Sequence, residues 1–227
     1  MRDSYLKFFK KFNITEDQLI DYGLSDIIFI PQNEAKKEWN NLKRKVLNNQ
    51  ETFIRGLGRD AANTPIMIDI HYHLFTNSNI KKDPTNNAGP QRLLEKLTGY
   101  SKKKSKLNKE LRNYQVSHVF GLTKNALAFN APWNIVYMPK LFDPFTGHES
   151  KGEITKKFKN ELKKMTYFKF KDLIEEYNEI VDSEDFKTKM IKALNKLETD
   201  KEKKYPFWRA KNLLKTVENE FKPIKIL

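Results

Sequence analysis

Three side chains in one stretch of the chain could together run a hydrolysis: His118, Asn134 and His148, separated by 16 and 14 residues. A neutral imidazole with a pKa near 7 can take a proton from an attacking water. Its other ring nitrogen must be held, usually by a carbonyl or amide oxygen, and Asn134 offers one. A second imidazole, His148, is a nitrogen ligand for a divalent cation, which would stabilise charge building on a phosphoryl group. The chain has four histidines, and two of them fall in this stretch.

The elements that must position these groups can be read around them. YQVSHVF predicts a strand ending near His118. PWNIVYMP predicts a second strand, entered through Asn134. FDPFTGHESKGEITKKFKNEL predicts a turn leading into a helix that begins near His148. Strand, loop, strand and helix in that order can bring three residues distant in sequence close in space.

Over residues 113–160 the chain resembles the HNH branch of the ββα-metal, or His-Me finger, nucleases, and more specifically the small type II restriction enzymes that use an HNH centre. The resemblance implies that His118 is the general base, that Asn134 fixes the base-bearing loop and the ring, and that His148 binds a divalent metal, Mg²⁺ by default with Mn²⁺ as an alternative. It also implies an α+β fold class: a ββα-metal core embedded in a mainly helical chain. One position departs from the pattern. Most HNH sites carry Asp or His directly before the base, as a metal ligand, and this chain has Ser117. Either His148 shares the metal with another carboxylate, for which Asp143 is the nearest candidate, or the ion keeps fewer protein ligands and more water.

The chain-wide charge points to a polyanion. There are 43 Lys and Arg against 29 Asp and Glu, a net charge of +14 over 227 residues, which attracts nucleic acid and speeds encounter with it. Mean hydropathy is -0.74, yet the 38% hydrophobic content can fill a core. The absence of cysteine excludes a disulfide framework and a Cys-ligated zinc. No apolar run suits a signal peptide or a membrane span, so a cytoplasmic location without membrane contact is expected.

Outside the core, RGLGRDAANT sets Arg55 and Arg59 among glycines. Residues 76–92 read as a long polar loop carrying Asn77, Asn79, Lys81, Lys82, Asn86, Asn87, Gln91 and Arg92. Asn, Gln and Arg can pair with base edges, and Lys with phosphates. Lys124 and Lys151 are further phosphate candidates. PIMIDIHYHLF alternates like a strand, which would put His71 and His73 on one face as a polar rim or a metal pair.

The remaining expectations are helical pieces over 2–23, with a capping box from Thr15 to Gln18 and a stop at Gly23, then a short strand at 26–30. Helices follow over 33–50 and 93–100, through 149–199, and over 207–221. Residues 1–112 would serve packing and DNA recognition, 113–165 catalysis, and 166–227 dimer or DNA contacts, all within one unit. The expected function is a site-specific double-strand deoxyribonuclease acting as a homodimer on double-stranded DNA. The alternatives are a non-specific or nicking HNH nuclease, and a DNA-binding protein whose nuclease site has decayed.

Overall fold

The computed structural model describes residues 3–58, 61–146, 150–204 and 210–226; at 198, 200–204 and 210–214 it describes the backbone alone. The chain opens with α1 (Ser4–Phe12), capped by the Asp3 carboxylate, and α2 (Glu16–Ser25). The expected capping box is present: Gln18 N donates to Thr15 Oγ1 at 3.1 Å and Thr15 N to Gln18 Oε1 at 2.9 Å. Gly23 does not stop this helix. It is buried inside it, where a Cβ would lie 2.7 Å from the rings of Phe142 and Phe158, so glycine is what lets α2 approach.

Next come β1 (Ile28–Phe29), α3 (Gln32–Leu47), β2 (Thr52–Ile54), α4 (Thr64–Phe75), β3 (Ile80–Lys82), α5 (Ala88–Thr98), β4 (Tyr100–Ser101) and β5 (Lys109–Glu110). The strand expected at PIMIDIHYHLF is therefore the helix α4. Its apolar residues cover most of its circumference, so alternation and helical periodicity coincide. On a helix, His71 and His73 point to different sides: His71 is fully buried, while His73 is half-buried. The polar loop expected at 76–92 is also largely structured, since β3 pairs in parallel with β2 and α5 starts at Ala88.

The hairpin follows: β6 (Tyr114–His118), the short helix α6 (Ala126–Phe129) and β7 (Ile135–Pro139). β6 and β7 are antiparallel, with His118 opposite Ile135 and Tyr114 opposite Pro139. β1 adds antiparallel to the other edge of β7, giving the order β1-β7-β6. Every residue of β7 is buried, and its faces divide between two apolar clusters. Ile135 and Tyr137 enter the larger one, with Trp39, Trp133 and Tyr177. Val136 and Met138 enter a smaller one with Phe142, Phe145 and Phe158. A strand buried on both faces reads as a continuous apolar run, as IVYM does.

A 3-10 turn at Asp143–Phe145 leads towards α7 (Glu153–Lys169), followed by α8 (Lys171–Asp182), α9 (Glu184–Lys204) and α10 (Ala210–Glu220). The architecture is mixed α/β, mostly helical, with small sheets. The larger cluster draws on residues from Ile30 to Ile224. Among the described residues, no helix is long and apolar enough to cross a membrane.

Candidate active site

His118 ends β6 at the floor of a cleft of about 490 Å³, half-buried and with its ring stacked on Phe129 at 5.3 Å and 12°. Its Nε2 lies 2.9 Å from the Phe129 carbonyl oxygen. A carbonyl can only accept, so the neutral ring carries its proton on Nε2 and its lone pair on Nδ1. Burial pushes the imidazole pKa down to about 3, with the Arg55 charge acting the same way. The ring is thus held neutral, in one tautomer, across the physiological range.

Asn134 is fully buried, and its amide is spent on main chain. Phe120 N donates to its Oδ1 at 2.9 Å. Its Nδ2 donates to Gly121 O at 2.8 Å and Ala128 O at 2.9 Å. These bonds span the loop that leaves His118. That loop needs them, because Leu122 follows Gly121 with a positive φ of 53°, a left-handed geometry that costs a non-glycine residue about 1–2 kcal/mol. Against expectation, Asn134 does not hold the His118 ring, which the Phe129 carbonyl engages; its amide bonds go to main chain at both ends of the path from His118 to α6.

α6 is itself held from below. Asn125 caps it by accepting from Leu127 N at 2.9 Å, and Ala126 N donates to His71 Nε2 at 3.0 Å. His71 Nδ1 donates to Met67 O at 2.5 Å, so both its nitrogens are used. It is neither a rim residue nor a ligand, and burial pushes its pKa down to about 4.

Ser117 and Asp143 line the same cleft, with Thr146, whose Oγ1 lies 3.3 Å from Ser117 Oγ. Among the described residues no three His, Cys, Asp or Glu side chains gather to hold a metal. The cleft does offer hard oxygen donors, one carboxylate and two hydroxyls, which suit Mg²⁺ with several water ligands. His148 lies outside the described residues, as does Arg59.

The expected DNA-contacting residues separate into groups. Arg55, Asn87 and Gln91 line the cleft, where Lys102 joins them. The Arg55 side chain is oriented by the Asn86 carbonyl oxygen at 3.3 Å and by Asn87 Oδ1 at 2.8 Å. Burial lowers its pKa, against the pull of Glu220 and Asp83. Lys82, Arg92 and Lys151 are exposed. Lys81 is exposed but paired with Glu51, and Asn86 Oδ1 accepts from Gly56 N at 3.0 Å. Lys124 is paired with Glu220 at 3.3 Å.

Asn77 is a correction. It is fully buried and donates to the carbonyls of Lys45, Val46 and Gln50 at the end of α3, so it does not face a base. Sequence reasoning also missed Asp83, which is fully buried. It accepts from Thr85 N, Ala88 N and Gly89 N, and so fixes the turn that carries Asn86 and Asn87. The Asp-Pro-Thr turn signal was present. Nothing in the sequence marks Phe129 O as the partner of His118, or Asn125 and Glu220 as supports of the segment that carries it.

A family model described as "Uncharacterised protein PM1201" matches residues 30–226, a span that takes in the whole hairpin and its supports. The chain belongs to this family. The "Uncharacterized protein PM1201" of Pasteurella multocida (strain Pm70) is 47% identical over 204 residues, covering 88% of this chain and 90% of that protein. No solved structure matches. The first 29 residues, including α1 and α2, precede the matched span.

Proposed function

We propose that the chain is a divalent-metal-dependent endonuclease that hydrolyses phosphodiester bonds of double-stranded DNA with His118 as general base. The observation that carries this reading is the tethering of His118. Its Nε2–H is engaged by the Phe129 carbonyl, so the lone pair is left on Nδ1, in a polar cleft that Arg55 and Lys102 also line. That tautomer leaves the Nδ1 lone pair to take a water proton; because a pKa of about 3 makes a weak base at neutral pH, the negative charge of a substrate phosphate in the cleft must raise it. The resemblance to HNH nucleases predicts a base histidine beside a loop-fixing asparagine, with the ring held here by Phe129 in place of Asn134.

In this mechanism His118 Nδ1 takes the proton of the attacking water, and the Phe129 carbonyl stabilises the imidazolium that forms. Arg55 and Lys102 draw the phosphate in. Asp143, with the Ser117 and Thr146 hydroxyls, would hold Mg²⁺, and His148 is the ligand expected from the sequence. When bound, the ion supplies charge stabilisation for the phosphoryl oxygens and the leaving oxygen. Site-specific cutting of both strands, as in type II restriction enzymes, would call for a two-fold dimer. The net charge of +14 supports DNA as the partner.

A second reading, DNA binding without cleavage, is favoured by Ser117 standing where a stronger ligand is expected. Digestion of a long unmethylated DNA with Mg²⁺, Mn²⁺ or EDTA, beside His118→Ala, separates the readings. Discrete metal-dependent bands lost in the variant support the site-specific nuclease. A smear keeps the chemistry and removes the specificity. Tight binding with no cutting under either metal overturns the nuclease reading.

A further inference from the structure

The base hangs from a helix of four residues, and a helix that short does not hold itself. What holds α6 is the far end of the chain. Lys124 N donates to Glu220 Oε2 at 2.8 Å, and Lys124 Nζ lies 3.3 Å from Glu220 Oε1. Asn125 Nδ2 donates to the Glu220 carbonyl oxygen at 2.9 Å and to Tyr177 Oη at 3.1 Å, while Tyr177 Oη donates in turn to Lys222 O at 3.2 Å. The residue that caps α6 is thus bolted to the last turn of α10.

The Glu220 side chain is only 12% exposed. A carboxylate withdrawn from water is costly unless fully partnered, and an apolar residue would serve packing better. This one is spent on the main chain of the loop between His118 and α6. It also helps to keep the Arg55 guanidinium charged at the cleft.

We propose that Glu220 is a positioning residue for the general base. By fixing Lys124 and Asn125 it sets α6, and with it the Phe129 carbonyl that holds the His118 tautomer. The catalytic part of this inference rests on the nuclease reading; the positioning part does not. The C-terminal helix is then a working part of the site, 102 residues from the base in sequence.

The test uses the full chain with Glu220→Ala and Glu220→Gln. The imidazole N–H signals are followed by NMR, and that of His118 is assigned by its loss in His118→Ala. Glu220 does not contact His118, so a purely structural role would leave the His118 Nε2–H signal unmoved in a folded variant. Positioning predicts that Glu220→Ala shifts it or speeds its exchange, and that Glu220→Gln, which keeps an acceptor for Lys124 N, restores it. With DNA as substrate, the same Ala variant should lose roughly ten- to a hundredfold in kcat with KM little changed, as a misplaced reacting group does.

Should Glu220→Ala fold poorly, Asn125→Asp keeps the cap on α6 but opposes the Glu220 carbonyl, and the same displacement is expected. An unmoved His118 signal in folded variants overturns the proposal. A moved signal in a protein that cuts nothing sustains positioning and overturns the nuclease reading alone.

Discussion

Lowering the pH from 7 to 5 should destabilise this fold through His71. The ring is fully buried, with Nδ1–H on Met67 O and Nε2 accepting from Ala126 N. A protonated ring would aim a second N–H at the Ala126 N–H, donor against donor, in a site closed to bulk solvent. Its pKa is accordingly pushed from 6.5 to about 4 by burial. The sign follows. The folded value lies below the unfolded one, so the unfolded chain binds more protons between them. Stability is full above 6.5 and falls as pH drops towards 4. At pH 5 the linkage removes about 2 kcal/mol relative to pH 7 through this residue alone, which for a chain of this size is about 4–8 °C in Tm. Urea unfolding, followed by tryptophan fluorescence at pH 7, 6 and 5, should be run on wild type and His71→Gln. The glutamine oxygen can still accept from Ala126 N but does not titrate. The other acid-sensitive groups are common to both proteins, so they cancel in the comparison. Wild type should lose about 2 kcal/mol more than the variant between pH 7 and 5; parallel curves would refute the buried, neutral His71.

Two further outcomes follow from the cleft. Asn134→Ala leaves Phe120 N and Gly121 O without their Asn134 partner, while Ala128 O still accepts from Ala131 N at 3.2 Å; at about 1–3 kcal/mol for each group left unmet, the loss should be on the order of 2–4 kcal/mol after relaxation, read from urea midpoints. Arg55→Ala removes a positive charge that disfavours the His118 imidazolium. The His118 pKa should therefore rise but stay below 6.5, since burial is the larger cause, and DNA affinity should fall with a shallower salt dependence; NMR titration and binding isotherms at two salt concentrations check both.

The hairpin was legible because its signals are local. YQVSH and IVYMP are strands of the right composition, and Asn134 has the type and place of a loop-fixing amide. α4 was not legible as a helix because TPIMIDIHYHLF is apolar on almost every side, and β-branched residues tilt it towards strand. Pro65 in its first turn was the contrary signal, since proline suits the start of a helix and not the middle of a sheet. That one misreading carried a chemical consequence. On a strand His71 and His73 would share a face, whereas on the helix His71 goes inward to α6. The polar stretch at 76–92 failed for another reason. β3 has three residues, and what orders it are long-range bonds from Asn77 to the end of α3 and local ones from Asp83, so composition alone reads as loop.

The support of His118 explains why its partners were invisible. His118 is fixed by a main-chain oxygen, and a main-chain oxygen has no signature in sequence. Its position is set by where α6 sits, and three elements set that. Asn134 comes from the entry to β7, His71 from α4, and Glu220 from the end of α10. β7 ties these together, because one face joins the cluster of Trp133 and Tyr177 and the other the cluster of Phe142 and Phe145. Tyr177 packs on Trp133 at 5.3 Å and bonds to Asn125, so the core of the helical region ends on the cap of α6. Asp143 and Thr146 hang from the smaller cluster through Phe142 and Phe145, while the tether of His118 hangs from the larger. The relative placement of His118 and the oxygen donors is therefore decided by one strand gripped on both sides. A site supported on rigid packing in this way keeps its geometry without a staple, which a chain without cysteine requires.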